Sequence, residues 1–336
     1  MKDIPGMRAV VMTSAGEALR VQELPKPQVQ HPTDLLVRVM AAGINPVDTK
    51  IHQRGPYLDQ GSPMVLGLDG AGVIEAVGSG VRHFSPGDEV YFCHGGLGGL
   101  TGTYCEYLII DEQFAAAKPA CLTFSEAAAA PLALITAWEA LYDRARLMPG
   151  QKVLIHGGTG GVGHIAIQMA KLKDALVCTT ISSEAKAHQA GMLGADHCIY
   201  YTRMNFVDGV NHWTQGQGVD MAFDTVGEPT LSRTFQAVRQ YGDLVTLHAA
   251  TGESDWGTAR QRNLRISFEL TLTPRLQHQP DWMVYQARIL KQCAKWLDTG
   301  KVKVLLAKTF PLEAVGEAYA YLATHPMGKV VLSLAE

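Results

Sequence analysis

The sequence predicts an α/β fold in two parts, a doubly wound parallel sheet inserted into a mostly β domain. Three observations carry that prediction. A glycine-rich turn joins a short β-branched run to an apolar helical stretch in Leu154-Ile-His-Gly-Gly-Thr-Gly-Gly-Val-Gly-His-Ile-Ala-Ile-Gln-Met-Ala-Lys171. From about residue 126 onward the pattern alternates helix and strand, which argues for a parallel sheet covered on both faces. Residues 7 to about 125 instead consist of short β-like runs between turn signals.

In chain order, the first six residues read as a loose tail, and strands are expected at Arg8–Met12, Asp34–Ala41, Gly72–Val77, Glu89–Phe92 and Tyr104–Ile110. Pro25, Pro27, Pro32, Pro46, Pro63, the Pro86-Gly87 pair and the run Gly95 to Gly99 punctuate them. The second part has expected strands at 152–156, 175–181, 219–223, 243–247 and 264–270. After Pro280 a helical pattern runs from Met283 to Leu297 and stops at Gly300, and Gly328-Lys-Val-Val-Leu332 reads as a closing strand. Periodicity alone does not assign that tail to either part.

Within the central turn, Gly158, Gly160 and Gly163 fit G-x-G-x-x-G. The first glycine permits the tight turn, the second lets a pyrophosphate approach the backbone, and the third lets helix and strand pack closely. Phosphates bind the unpaired N–H groups at such a helix N-terminus. With a strand before it and a helix after it, the turn is read as a dinucleotide site of the Rossmann type. No Gly-Lys-Ser/Thr follows, so it is not a P-loop.

A chain of 336 residues suffices for two ordinary domains. With 29 Lys+Arg against 32 Asp+Glu there is no basic surplus for a phosphate backbone, so no nucleic-acid partner is expected. The Ala-rich run from Ala127 to Leu141 is broken by Pro131, Trp138 and Glu139, and no signal-peptide pattern opens the sequence. A soluble, cytoplasmic protein is expected. Cys93, Cys105, Cys121, Cys178, Cys198 and Cys293 include no Cys-x-x-Cys pair and read as small buried hydrophobes rather than a disulfide framework.

Six segments in order, Ala41-Ala-Gly-Ile-Asn-Pro-Val-Asp48, Leu66-Gly-Leu-Asp-Gly-Ala-Gly-Val-Ile-Glu-Ala-Val-Gly78, Pro86-Gly-Asp-Glu-Val90, Gly158-Thr-Gly-Gly-Val-Gly163, Gly194-Ala-Asp196 and Asp224-Thr-Val-Gly227, resemble the medium-chain dehydrogenases/reductases. The resemblance implies a GroES-like substrate domain from residues 1–127 plus 271–336, with a Rossmann domain at 128–270 inserted between. It also exposes departures. The family's zinc alcohol dehydrogenases carry a Cys where this chain has Asn45, and Gly-His-Glu where it has Gly67-Leu68-Asp69. Catalytic zinc takes about three protein ligands, so the resemblance points to the zinc-independent quinone oxidoreductase branch. The Cys93-His94 pair is read as a turn with a buried thiol.

NAD-specific sites place an acid about 20 residues beyond the glycines. By resemblance that place falls near Ile181, and the segment Ser182-Ser-Glu-Ala-Lys186 has no acid there. Glu184 is a rival, although acids are common in a first helical turn for dipole reasons. Ser182, Lys186 and Tyr201 match family positions around a 2′-phosphate, and the expected cofactor is NADPH. Gly158, Thr159, Gly160, Gly161, Val162 and Gly163 of the turn and Val226 are expected to contact the cofactor, Thr136 matches a family position near the nicotinamide, and His248, at the carboxyl end of a sheet strand, is expected to line the nicotinamide pocket with its backbone.

Hydride transfer to a quinone or an enone leaves negative charge on oxygen, and without a metal this must be met by preorganised donors. Asn45 and Tyr57 are the expected catalytic donors. Asp48 is expected to organise its loop, and Lys50 is read as a surface residue. The expected activity is a metal-free, NADPH-dependent reduction of quinones or other α,β-unsaturated carbonyls, in a homodimer paired through the edge Arg265-Ile-Ser-Phe-Glu-Leu270. Two alternatives stay open: an alcohol dehydrogenase with an atypical zinc site, and a non-enzymatic NADPH-binding or RNA-binding protein.

Overall fold

The computed structural model describes residues 6–58, 64–99 and 101–334. The expected tail thus lies outside the described residues save for Gly6, as does the end of the loop Arg54 to Pro63. The chain divides into two compact units, one of residues 1–132, 272–300 and 304–336, the other of residues 133–271 with 301–303.

The first unit begins with β1 (Gly6–Met12), β2 (Arg20–Pro25), β3 (Asp34–Ile44), α1 (Pro46–Arg54), β4 (Met64–Val65), β5 (Asp69–Val77), β6 (Glu89–Cys93), β7 (Tyr107–Asp111), β8 (Ala116–Ala117) and α2 (Phe124–Ala128). Thr123 starts α2 as a capping box: its hydroxyl accepts from Glu126 N–H at 3.3 Å while its own N–H donates to Glu126 at 2.9 Å. Helix α3 (Pro131–Trp138) continues into a π-helical segment, Glu139–Arg144.

The second unit runs through β9 (Lys152–Ile155), α4 (Gly163–Lys171), β10 (Leu176–Ile181), α5 (Glu184–Met192), β11 (His197–Tyr200), α6 (Phe206–Thr214), β12 (Val219–Asp224), α7 (Thr230–Ala237), β13 (Val238–Thr246), α8 (Trp256–Gln261) and β14 (Arg265–Phe268). The chain then returns to the first unit through α9 (Thr273–Leu276), α10 (Pro280–Asp298), β15 (Leu306–Pro311), α11 (Val315–Leu322) and β16 (Lys329–Ser333).

In the second unit the sheet order is β11-β10-β9-β12-β13-β14, all parallel, the doubly wound order of dinucleotide-binding sheets. One face is covered by Phe206, Val210, Leu231 and Phe235, each buried against Leu154, Ala222 and Leu244 of the strands. Burying each such large apolar side chain contributes about 1.5–3 kcal/mol. Strand β11 lies outside the expected strands: His197-Cys-Ile-Tyr is four residues long and half exposed at the sheet edge, too short for an alternation to register.

Among the described residues the first unit has a three-stranded sheet, β2-β1-β4, and a larger sheet in the order β15-β16-β3-β5-β6-β8, with β7 also on β3. The antiparallel order β16-β3-β5 fixes which residues meet at one end of this larger sheet. Ile44 at the end of β3 pairs with Val330 near the start of β16, and Gly43 pairs with Asp69, the first residue of β5. That end therefore gathers the residues just after β3 and those opening β5 and β16. Gly328 delivers the chain there at φ +83°, where a Cβ would stand 2.2 Å from the Leu305 carbonyl.

Candidate functional site

At the carboxyl edge of the parallel sheet, β9 runs into His156 and the turn from Gly157 to Val162. A Cβ on Gly158 would stand 2.1 Å from Thr179 Oγ1 and one on Gly163 2.2 Å from the Gly157 carbonyl, whereas Gly160 has its nearest neighbour at 3.2 Å. Gly158 and Gly163 thus serve close packing, and Gly160 leaves bare backbone on the open side. The buried His156 ring bridges Thr180 and Thr234 at 3.2 and 2.9 Å. Burial pushes it down to about 4, so it is a neutral strut under the turn. Thr159 is buried, and Gly161 and Val162 are half-buried at the mouth of α4.

Ile181 and Tyr200 are in register on β10 and β11, so Ser182 and Tyr201 leave the two strands side by side. Tyr201 is exposed, Ser182 and Lys186 are half-buried, and Ser183 caps α5 through the Lys186 N–H at 3.3 Å. The rival acid, Glu184, accepts from the Tyr200 hydroxyl and, at 2.9 Å, from Arg203. Those two hydrogen bonds hold its carboxyl below the usual range. Arg203, which sequence reasoning missed, also lies 4.5 Å over the Tyr200 ring. Its signal is modest: a cation two residues beyond Tyr201.

Two further strand ends complete this edge. Asp224, fully buried, accepts from the N–H groups of Val226 at 3.0 Å and Gly227 at 3.1 Å and from the Thr246 hydroxyl at 2.8 Å. It thereby shapes the turn that leaves Val226 exposed. His248 is half-buried, its ring 2.9 Å from where a Cβ on Gly227 would stand and its Nε2 3.2 Å from the Thr225 carbonyl. Thr136, on α3, is buried, with its hydroxyl 2.7 Å from that of Thr271.

In the first unit the sheet end shared by β3, β5 and β16 holds a buried polar cluster. Asn45 is 1% exposed; its Nδ2 donates to Asp69 at 2.9 Å and its Oδ1 accepts from Lys329. The Lys329 ammonium, itself buried, lies 3.4 Å from Asp69, which also accepts from Leu132 N–H at 2.8 Å. Asp48 accepts from Asn45 N–H at 2.7 Å and from Tyr104 OH at 3.1 Å, as its expected loop-organising role requires. Burial pushes Asp48 up to about 7 and raises Asp69 as well.

Asn45, expected as a catalytic donor, lies within this cluster, with its carbonyl oxygen and one amide N–H engaged by Lys329 and Asp69. Sequence reasoning missed Lys329 because the ammonium reaches its partners from 284 and 260 residues away. The other expected donor, Tyr57, stands half in solvent at 54% exposure, on a segment whose continuation lies outside the described residues.

Residues 31–120 match the alcohol dehydrogenase GroES-like domain family, and residues 193–332 match the family described as zinc-binding dehydrogenase. Along almost its full length the chain is 32% identical to the 2-haloacrylate reductase of Burkholderia sp., covering 97% of this chain and 98% of that protein. The chain belongs to the medium-chain dehydrogenase/reductase superfamily, in its quinone oxidoreductase-like branch. It is also 32% identical to the chloroplastic NADPH-dependent alkenal/one oxidoreductase of Arabidopsis thaliana, over 89% of this chain and 71% of that one. The crystal structure of the Escherichia coli quinone oxidoreductase complexed with NADPH matches with a TM-score of 0.84 at 27% identity, covering 98% of this chain and 99% of that one.

Zinc does not fit the polar cluster of this medium-chain reductase. Leu68 is fully buried and has no donor atom, Asn45 offers an amide already engaged, and the Lys329 ammonium sits on the carboxylate a metal would need. Among the described residues no group of three His, Cys, Asp or Glu side chains converges as a metal site. A dinucleotide fits the second unit, where glycine packing opens the backbone beside the α4 N-terminus. No helix among the described residues is long and apolar enough to cross a membrane.

Proposed function

We propose that this protein is an NADPH-dependent oxidoreductase that transfers hydride, without a metal, to quinones or other α,β-unsaturated carbonyls. The observation that carries the reading is the paired end of β10 and β11. There Ser182 and Tyr201 leave the two strands side by side and Lys186 lies in the first turn of α5, while Glu184 is tied up by Tyr200 and Arg203. That edge suits a 2′-phosphate and gives a ribose hydroxyl no free carboxylate. The relatives, a 2-haloacrylate reductase, an alkenal/one oxidoreductase and a quinone oxidoreductase, support acceptors with a double bond conjugated to a carbonyl or carboxyl group.

The bound cofactor supplies hydride from the nicotinamide ring. The protein's own residues bind and orient: Gly158, Thr159, Gly160, Gly161, Val162 and Gly163 cradle the pyrophosphate, and Ser182, Lys186 and Tyr201 take the 2′-phosphate. Thr136, Val226 and His248 line the nicotinamide. Asn45 keeps one amide N–H beyond its bond to Asp69. That N–H, together with the Tyr57 hydroxyl, is assigned to the developing oxyanion. Lys329 keeps Asn45 in the rotamer that presents it.

The GroES-like part, residues 1–127 plus 271–336, serves as the substrate domain and residues 128–270 as the cofactor domain. A cytoplasmic homodimer paired through β14 completes the proposal, with Phe268 and Leu270 exposed along that edge at 54% and 50%. The test is oxidation of NADPH and NADH, in parallel, with 1,4-benzoquinone and a simple enone by chelator-treated protein. Turnover with NADPH that survives chelation is expected. Activity lost on chelation and restored by zinc would replace this reading by the alcohol dehydrogenase one.

A further inference from the structure

Beneath Thr136 the second unit contains a second buried polar group that neither the cofactor nor the oxyanion uses. The chain from β14 onward alternates in burial: Phe268 and Leu270 are exposed, while Glu269 and Thr271 are 3% and 5% exposed. Glu269 and Thr271 therefore point to the same inner side. Opposite them, Thr136 and Glu139, three residues apart on one helical face, are buried as well. The two pairs form a ladder. One rung is the 2.7 Å hydroxyl contact between Thr136 and Thr271. The other is a hydrogen bond between the carboxyl groups of Glu139 and Glu269, with Arg144 donating to Glu269 at 3.2 Å.

Two carboxyl groups in contact cannot both ionise beside a single guanidinium, so the pair holds a proton. Burial first, and Glu139 next, push Glu269 up to about 9. Glu139 and Arg144 are the charged groups that act on it. The segment is a π-helix, with Ala145 N–H bonded to the Ala140 carbonyl at 3.0 Å, a conformation found often at functional sites.

We propose that Glu139 and Glu269 are a proton reservoir for the reduction, discharged to the reduced substrate through the hydroxyls of Thr271 and Thr136. The proposal rests on the reductase reading of this protein. As hydride reaches the β-carbon, the nicotinamide C4–H bond breaks, a C–H bond forms, the cofactor is oxidised and the substrate becomes an enolate. The enolate takes the Thr136 hydroxyl proton, Thr136 is refilled by Thr271, and Thr271 by the carboxyl pair. The pair, left doubly ionised against Arg144, regains its proton from water. The relay requires a water molecule between the rungs, which lie about 5–7 Å apart along helix and strand.

The test combines infrared titration of the intact protein with the variants Glu139→Gln, Glu269→Gln and Thr136→Val. In difference spectra against either Gln variant, in which the Asp48 and Asp69 carboxyls cancel, the wild type and Thr136→Val are expected to show a protonated-carboxyl stretch at pH 7 that is lost at alkaline pH. All three variants are expected to fold, and the two Gln variants to bind NADPH, read by its fluorescence, within about threefold of wild type. The kcat of all three with an enone should fall about 10–100-fold, with the alkaline limb of the pH profile displaced in the Gln variants. If one Gln variant fails to fold, the other supplies the difference spectrum and Thr136→Val the kinetics. Absence of the band at pH 7, or kcat and pH profile unmoved in folded variants, overturns the reservoir. A wild type that binds no NADPH or turns over no acceptor overturns the reductase reading itself, an outcome the band does not mimic.

Discussion

At the scale of single residues, the buried carboxylates of the first unit make stability depend on pH. Asp48 has a folded-state pKa of about 7 against an ordinary value of 3.8. Its contribution to stability is therefore full at acid pH and lost as pH rises through about 7. Asp48→Asn is expected to raise Tm at pH 8 and to flatten its decline between pH 4 and 8, as read by thermal unfolding across that range. Lys329→Met leaves Asp69 buried without its cation, a class of change that costs about 3–5 kcal/mol, and denaturant titration should show it. In the second unit, Lys186→Ala is expected to raise KM for NADPH about 10–100-fold, the loss of one charge-assisted contact, while leaving KM for NADH within about twofold. Equal effects on both cofactors would remove Lys186 from the phosphate site.

Among the elements, the β9-turn-α4 unit is the most sharply constrained. A methyl group on Gly163 would lie 2.2 Å from the Gly157 carbonyl, so Gly163→Ala must push α4 away from β9. Loss of NADPH binding, by fluorescence titration, with at most a modest drop in Tm is the expected result. Gly160→Ala has its nearest neighbour at 3.2 Å and is expected to weaken cofactor binding while leaving stability within about 0.5 kcal/mol of wild type. This turn is legible in the sequence because its three glycines, its strand and its helix are contiguous. The short edge strand β11 is not, and with it goes Arg203, whose importance depends on the partner it finds on α5.

For the whole molecule, the chain leaves one unit, builds a second and returns, and the return carries decisive side chains. Lys329 arrives on β16 beside β3, and Thr271 stands where the chain leaves the second unit. The proposed pairing through β14 predicts that Phe268→Lys, with its charge on an exposed edge, shifts the protein from dimer to monomer in sedimentation without loss of fold. A wild type already monomeric at micromolar concentration would sink that pairing.

The order of residues is enough to specify the two-part α/β architecture, the dinucleotide turn and the departures at Asn45 and Leu68 from the zinc pattern. Each of these is written in residues adjacent along the chain, where periodicity and steric demand are local. Only the folded chain reveals that Asn45 serves a buried ion pair, that Glu184 is spoken for, and that Glu139 meets Glu269. Such contacts depend on which strands lie side by side and on which burial leaves no water to solvate a charge, and partners up to 284 residues apart give no local sign of each other.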